Sequence, residues 1–331
     1  MMKRTAVISG IGMFAPAKVV PNSYFDELLK EDVSTWLETN VNIKERRWCS
    51  ENESTADLCE HAAVAALADA GITADKLNLI IVATDTPEYI SPSTASVLQF
   101  RIGAVNAGTF DLNTACAGFV TALDTASKFI IADNRYQNVL VIGAYAMSKY
   151  LNMQDKKTVT LFADGAGAVV LTAEENSDRG YLTSQLHTQG MYHDWMGIYA
   201  GASKTPTTAA VVEQKDHQLK FVKKFPKELN PEMWSSMITE MANRLSVSPS
   251  GFDHYLFSQI NINSIRDTME LIHSDMAKAH TIMDRYGYTG SACIPMALAD
   301  LKEKGLLHKG QTVCFIGSGG GLAFAGAVFK L

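Results

Sequence analysis

The chain has 331 residues, 47% of them hydrophobic and 19% charged, with a net charge of −6. This is enough apolar material for two similar halves or one large α/β unit, and it excludes a disordered or low-complexity chain. The acidic balance argues against a nucleic-acid partner, and the densest basic runs, Lys44 to Arg47 and Lys220 to Lys224, read as short solvated stretches.

In chain order, apolar residues over 5–11 predict a strand, and Asn22 is placed to cap a helix reaching 29. A short helix over 33–38 carries Trp36. Ser54 opens an amphipathic helix through 70, which Gly71 stops. The continuous apolar run 77–84 (LNLIIVAT) predicts a strand buried on both faces of a parallel sheet. A helix over 94–102 follows, then a strand over 109–112 that runs into small residues, Cys116 and a helix from 117 to 129. Strands are expected at 138–142 and 168–172, the second after Phe162-Ala163-Asp164-Gly165-Ala166-Gly167-Ala168.

Beyond Arg179 the pattern repeats. A strand at 181–186 leads to a long irregular stretch, 190–207, of the kind that covers a site. A helix at 231–245, a strand at 252–257, a helix at 262–273, a strand at 281–283 and a helix at 292–304 follow. A strand at 312–316 and Gly317-Ser318-Gly319-Gly320-Gly321 precede a closing strand, 322–331. Buried strand, helix, TACAGFVTAL and strand in the first half are echoed by strand, helix, YTGSACIPMAL and strand in the second. The echo predicts an α/β chain of two duplicated halves, 1–176 and 177–331.

Five cysteines (Cys49, Cys59, Cys116, Cys293, Cys314) are odd in number and lack metal-ligand spacing, so no metal and no disulfide framework are expected. MMKRTAVISG passes straight into a strand and does not resemble a leader. No apolar run nears the roughly 20 residues of a spanning helix, so a cytoplasmic protein with no membrane contact is expected. Cys116 stands at a strand-to-helix turn, where helix N–H groups and the macrodipole favour thiolate. Ala115, Ala117 and Gly118 keep its surroundings open to a carbonyl. The alternative is a small buried apolar residue.

DLNTACAGF, FADGAGAVVL, DRYGYTGSA and SGGGLAFAG, in this order, resemble the thiolase superfamily, and within it the β-ketoacyl-acyl-carrier-protein synthase III group. The resemblance covers essentially the whole chain. It implies a thiolase-like fold of αβαβα layers, a homodimer, no cofactor, and an acyl–Cys116 intermediate formed from an acyl-CoA or an acyl-carrier protein. It also places Gly320 as the backbone donor that joins the Cys116 N–H in an oxyanion hole. Where the family carries His in PHQAN and Asn in DRxGNTS, this chain reads Phe257-Ser258-Gln259-Ile260-Asn261 and Asp284-Arg285-Tyr286-Gly287-Tyr288-Thr289. Ser258 and Tyr288 thus stand for the two donors that stabilise an enolate, which puts standard decarboxylative condensation in doubt.

The resemblance further implies substrate-binding roles for Trp36, Lys156 and Asn261. Ile90, in the segment Ile90-Ser91-Pro92, would close a partner's acyl pocket. Trp36 is equally a helix packing residue. Asp85-Thr86-Pro87-Glu88 brings Glu88 near the same interface, as a partner-supplied base or as a solvated loop acid. His187 and His193 flank the loop after the 181–186 strand, as catalytic groups or as exposed loop residues. The function expected is an acyltransferase of fatty-acid-like or secondary-metabolite biosynthesis. The alternatives are a non-condensing partner subunit of an active paralogue, in a heterodimer, and a thioester hydrolase.

Overall fold

A computed structural model describes residues 4–331. Two sheets carry the fold. The first contains β1 (Arg4–Phe14), β2 (Leu79–Ala83), β3 (Gly108–Leu112), β4 (Asn138–Ala146) and β5 (Asp164–Glu175). Its order is β1-β5-β4-β2-β3. The second contains β6 (Gly180–Thr188), β7 (His254–Phe257), β8 (Thr312–Gly319) and β9 (Ala323–Lys330), in the order β7-β8-β9-β6. β2 pairs in parallel with both β3 and β4, and all five of its residues are buried, as its unbroken apolar sequence requires.

Six helices make the other layers: α1 (Thr55–Ala70), α2 (Thr94–Arg101), α3 (Gly118–Ala132), α4 (Leu229–Arg244), α5 (Ile262–Leu271) and α6 (Cys293–Glu303). α1 lies on the outer face of the first sheet, α4 with α5 on the outer face of the second, and α3 and α6 lie between the sheets. The result is a thiolase-like α/β fold in αβαβα layers. Close approach of the second-half turn Gly290–Ala292 to β4 needs Gly143, where a Cβ would fall 2.2 Å from the Ser291 carbonyl oxygen. The Ser291 hydroxyl then donates to the Ala144 carbonyl at 2.7 Å.

Several expectations need correction. Ala115–Ala132 is long and apolar enough by composition to cross a membrane, whereas no such run was expected; 61% of it is buried, as the central helix of the core. Asn22 does not cap its helix. Its amide donates to the Ile43 carbonyl and its oxygen accepts from Arg46, which uses the side chain to tie buried segments together. Residues 281–283 form no strand. Only Ala279 bridges to Tyr255, and the Ile282 N–H is taken by the Gln259 side chain at 2.8 Å, so the segment's donor is satisfied without a ladder. Finally, β8 runs on through Gly319, so part of the glycine run is strand.

Candidate active site

The Cys116 turn is built by local polar contacts. β3 ends at Leu112, and the Asn113 side chain accepts from the Ala115 N–H at 2.9 Å. Ala115 takes φ +47, a conformation uncommon outside glycine, before the single turn Ala115–Ala117 leads into α3. The tail of β8 lies directly on this turn. A Cβ at Gly319 would fall 2.5 Å from the Cys116 nitrogen and 2.6 Å from the Thr114 oxygen, so only glycine fits. The next residue, Gly320, then flanks Cys116 in both cavities of the site.

The larger cavity, about 570 Å³, is lined by Cys116, Tyr288, Gly320, Asn261, Trp36 and Lys156, among others. Trp36 is 53% exposed. Lys156 pairs with Glu31 at 2.7 Å, and Lys157, Lys224 and Lys227 join it in the lining. Asn261 also caps α5, accepting from the Asn263 N–H at 3.0 Å. A smaller chamber of about 220 Å³ is lined by Asp85, Asn113, Tyr145, His193 and Tyr199, and shares Cys116, Met196 and Gly320 with the larger one. Cys116 therefore sits where the two meet.

Six of the eight residues singled out from the sequence thus come together; Ser258 and Ile90 do not. Ser258 is 1% exposed and lines neither cavity. Its hydroxyl donates to the Ser318 carbonyl at 3.3 Å and accepts from the Ser318 N–H at 3.0 Å. It therefore fixes the strand end that carries Gly319 and faces no substrate. Ile90 is 83% exposed on the surface. Glu88, half-buried, accepts from the Ala56 N–H at the start of α1, at 2.9 Å. His187 stands beside Phe324, with rings 6.4 Å apart, while His193 reaches the small chamber.

Electrostatics at Cys116 reverse the expectation drawn from the helix dipole. Burial, and next the charge of Asp85, push the thiol well above its ordinary value, while the Tyr288 hydroxyl pulls it down. Burial likewise raises the Tyr288 phenol, so this hydroxyl stays protonated and acts as a donor. Burial pushes the Asp85 carboxyl up to about 6. The site can attack a thioester with sulfur and stabilise the resulting oxyanion with backbone donors, but the thiol is not held as a standing thiolate. Among the described residues no cluster of three or more His, Cys, Asp or Glu side chains is disposed to hold a metal, and all five cysteines are free and buried.

Comparison with known proteins places this geometry. The family model for 3-oxoacyl-(acyl-carrier-protein) synthase III matches residues 110–190, and the model of its C-terminal part matches 242–331. The β-ketoacyl-(acyl-carrier-protein) synthase III of Clostridioides difficile (strain 630) is 33% identical over 329 residues, covering 99% of each chain. The chain belongs to the 3-oxoacyl-(acyl-carrier-protein) synthase III family, within the thiolase superfamily. The enzyme of the same name from Ruegeria pomeroyi is 34% identical over 333 residues, covering 99% of this chain and 100% of that one. Among solved structures, the synthase III of Pseudomonas aeruginosa PAO1 superposes with a TM-score of 0.90 at 26% identity, covering 98% of both chains. The matched segment 110–190 contains Cys116, and 242–331 contains Ser258, Tyr288 and the Gly319–Gly320 strand end.

Asp85 was the functional candidate missed from the sequence. Its signal was a carboxyl two residues beyond the fully apolar strand LIIVA, at a strand end where sites gather.

Proposed function

We propose that this chain is an acyltransferase of the β-ketoacyl-acyl-carrier-protein synthase III type, acting in fatty-acid-like or secondary-metabolite biosynthesis. The observation that carries the reading is Cys116 at the junction of two cavities, with the Gly319–Gly320 backbone laid against its amide. An acyl-CoA or acyl-carrier-protein arm would enter along the larger cavity past Trp36, with its phosphates near Lys156, Lys157, Lys224 and Lys227. The Cys116 sulfur attacks the thioester carbonyl. The new S–C bond forms, the carrier's S–C bond breaks, and the thiol proton leaves with the carrier thiol. The amides of Cys116 and Gly320 stabilise the oxyanion, and Tyr288 donates to the sulfur.

The acyl group then passes to an acceptor. Ser258 is engaged with Ser318, so the acceptor side has Tyr288 and Asn261 as its polar groups, and standard decarboxylative condensation lacks the donor pair it ordinarily uses. The raised thiol favours one second reading, a non-condensing partner subunit.

A homodimer suits the surface. β3 ends the first sheet with a free edge, and Phe100 on α2 and Ile90 are 85% and 83% exposed. Sedimentation equilibrium at micromolar concentration should give twice the chain mass.

Incubation with a panel of acyl-CoAs and acyl-carrier proteins, followed by intact-mass measurement, tests the function. The expected result is an adduct on Cys116 that persists until a second substrate is added. No adduct with any donor overturns the transferase, and rapid loss to free acid in buffer assigns hydrolysis instead.

A further inference from the structure

Asp85 is not explained by the chemistry above. It lies two residues beyond the end of β2 and lines the small chamber. Part of the residue is exposed, yet its Oδ1 is shut off from solvent and has no hydrogen-bond partner among the described residues. Leaving a buried carboxylate oxygen unpaired is costly, more so than for a neutral group. The other titratable groups facing it are Cys116, Tyr145, His193 and Tyr199 around the chamber, with Tyr150 nearby. Among the described residues no lysine or arginine lines this chamber, so the carboxyl has no fixed cation to answer.

Placement decides what could answer it. If the carrier arm fills the larger cavity, the acyl group on Cys116 has the small chamber to enter. At about 220 Å³ that chamber has room for a short chain of a few heavy atoms. Its walls are mixed: Asp85, Asn113, Tyr145, His193 and Tyr199 contribute polar groups beside Met147, Ile198 and Leu219.

We propose that Asp85 selects the acyl group: the chamber takes a short acyl chain that carries a hydrogen-bond donor, hydroxyl or amine, a few atoms from the thioester carbonyl. A rotation of the Asp85 carboxyl turns its unpaired oxygen, closed to solvent in the empty chamber, toward this donor. A plain aliphatic chain of equal length leaves that oxygen buried and unpaired. This inference rests on the acyl-thioester reading above and names its substrate class. Hydrogen bonds to charged groups of this kind set a preference of about ten- to a hundredfold.

The experiment measures the rate of Cys116 adduct formation by intact mass with butyryl-CoA, 3-hydroxybutyryl-CoA and 3-aminobutyryl-CoA, using the full chain and the variants Asp85→Asn and Asp85→Leu. The wild type should load one of the functionalised chains at least about tenfold faster than butyryl. The hydroxyl and amine arms identify which donor is read. Asp85→Leu should reverse the preference, and Asp85→Asn should abolish it for the amine and weaken it for the hydroxyl. Circular dichroism and thermal unfolding confirm that each variant is folded. Because the wild-type preference needs no variant, a misfolded substitution does not rescue the idea. Equal or faster loading of butyryl by the wild type overturns it. So does a preference that survives in Asp85→Leu, or a uniform loss across all three donors, which would make Asp85 a base or a structural group. No adduct from any donor overturns the acyl-thioester reading itself, a result distinct from a wrong preference.

Discussion

Gly319→Ala is the sharpest perturbation of the oxyanion site. The new methyl carbon would fall 2.5 Å from the Cys116 nitrogen, 2.6 Å from the Thr114 oxygen and 2.9 Å from the Ala115 Cβ. The two nearest atoms are backbone, so no side chain can swing aside. Relief requires the β8 tail and the Cys116 turn to separate by about 1 Å, because carbon contacts relax only near 3.5 Å. Overpacking of this kind costs about 1–3 kcal/mol. At about 2–4 °C per kcal/mol for domains of 150–250 residues, and less for a longer chain, the melting temperature should fall by a few degrees. The chemical loss should be larger than the stability loss suggests. A donor misplaced by about 1 Å costs about 10²-fold, and removal of an oxyanion donor about 10²–10³-fold.

Gly320→Ala is the control for stability. There a Cβ meets only the Met196 oxygen, at 3.2 Å, so the change should stay within about 0.5 kcal/mol. Denaturant unfolding gives the first quantity, and the time course of the Cys116 adduct at saturating acyl-CoA gives the second. If Gly319→Ala loads acyl groups within threefold of wild type and melts unchanged, the β8 tail does not position the Cys116 amide.

Other outcomes follow from the same contacts. The Asp85 carboxyl is raised from 3.8 to about 6, so the native state holds this proton more tightly than the unfolded chain, and stability falls as pH rises between those values. At about 1.4 kcal/mol per pH unit the full effect is about 3 kcal/mol, with about 1.4 kcal/mol of it lying between pH 5 and pH 8. Asp85→Asn should therefore gain on the wild type by about that amount between pH 5 and pH 8 in urea unfolding; an equal difference at both values refutes the burial of this charge. Tyr288→Phe removes the hydroxyl that pulls the Cys116 thiol down, so the pH dependence of Cys116 alkylation should move upward and loading at pH 7.5 should drop about two- to tenfold. An unshifted alkylation profile would place the phenol elsewhere. Ser258→Ala strands the buried Ser318 N–H and should cost about 1–3 kcal/mol in denaturant unfolding, whereas a group serving only substrate would cost almost nothing.

The layered fold was legible because its signals are local and redundant. LIIVA admits only a doubly buried strand, and Gly71 ends α1 at φ +66 as a glycine after an apolar helix should. The Cys116 turn was legible for the same reason, as a strand, small residues and a helix in direct succession. What escaped depends on partners distant in sequence. The 281–283 segment lost its strand to a side chain 23 residues earlier, at Gln259, and Asn22 is claimed by Ile43 and Arg46. The Cys116 thiol is set by desolvation and by Asp85 across a cavity, neither of which can be read from a helix start. Ser258 occupies the motif position of a donor to substrate, but its hydroxyl turns to the neighbouring strand because Ser318 offers both a carbonyl and an N–H within reach.

The position of α3 has a consequence for motion. This helix continues the Cys116 turn, and strands of both sheets pack on it while Phe119, Val120, Ala122 and Leu123 are wholly buried. Neither sheet can loosen without exposing the helix that follows the sulfur. Amide exchange in residues 119–123 should then proceed only through unfolding of the whole chain, at the slowest rate the molecule shows, even though the segment begins a few residues from an open cavity. The nucleophile stands in the turn that leads into a helix packed between both sheets, so whatever opening admits substrate must come from the walls around it.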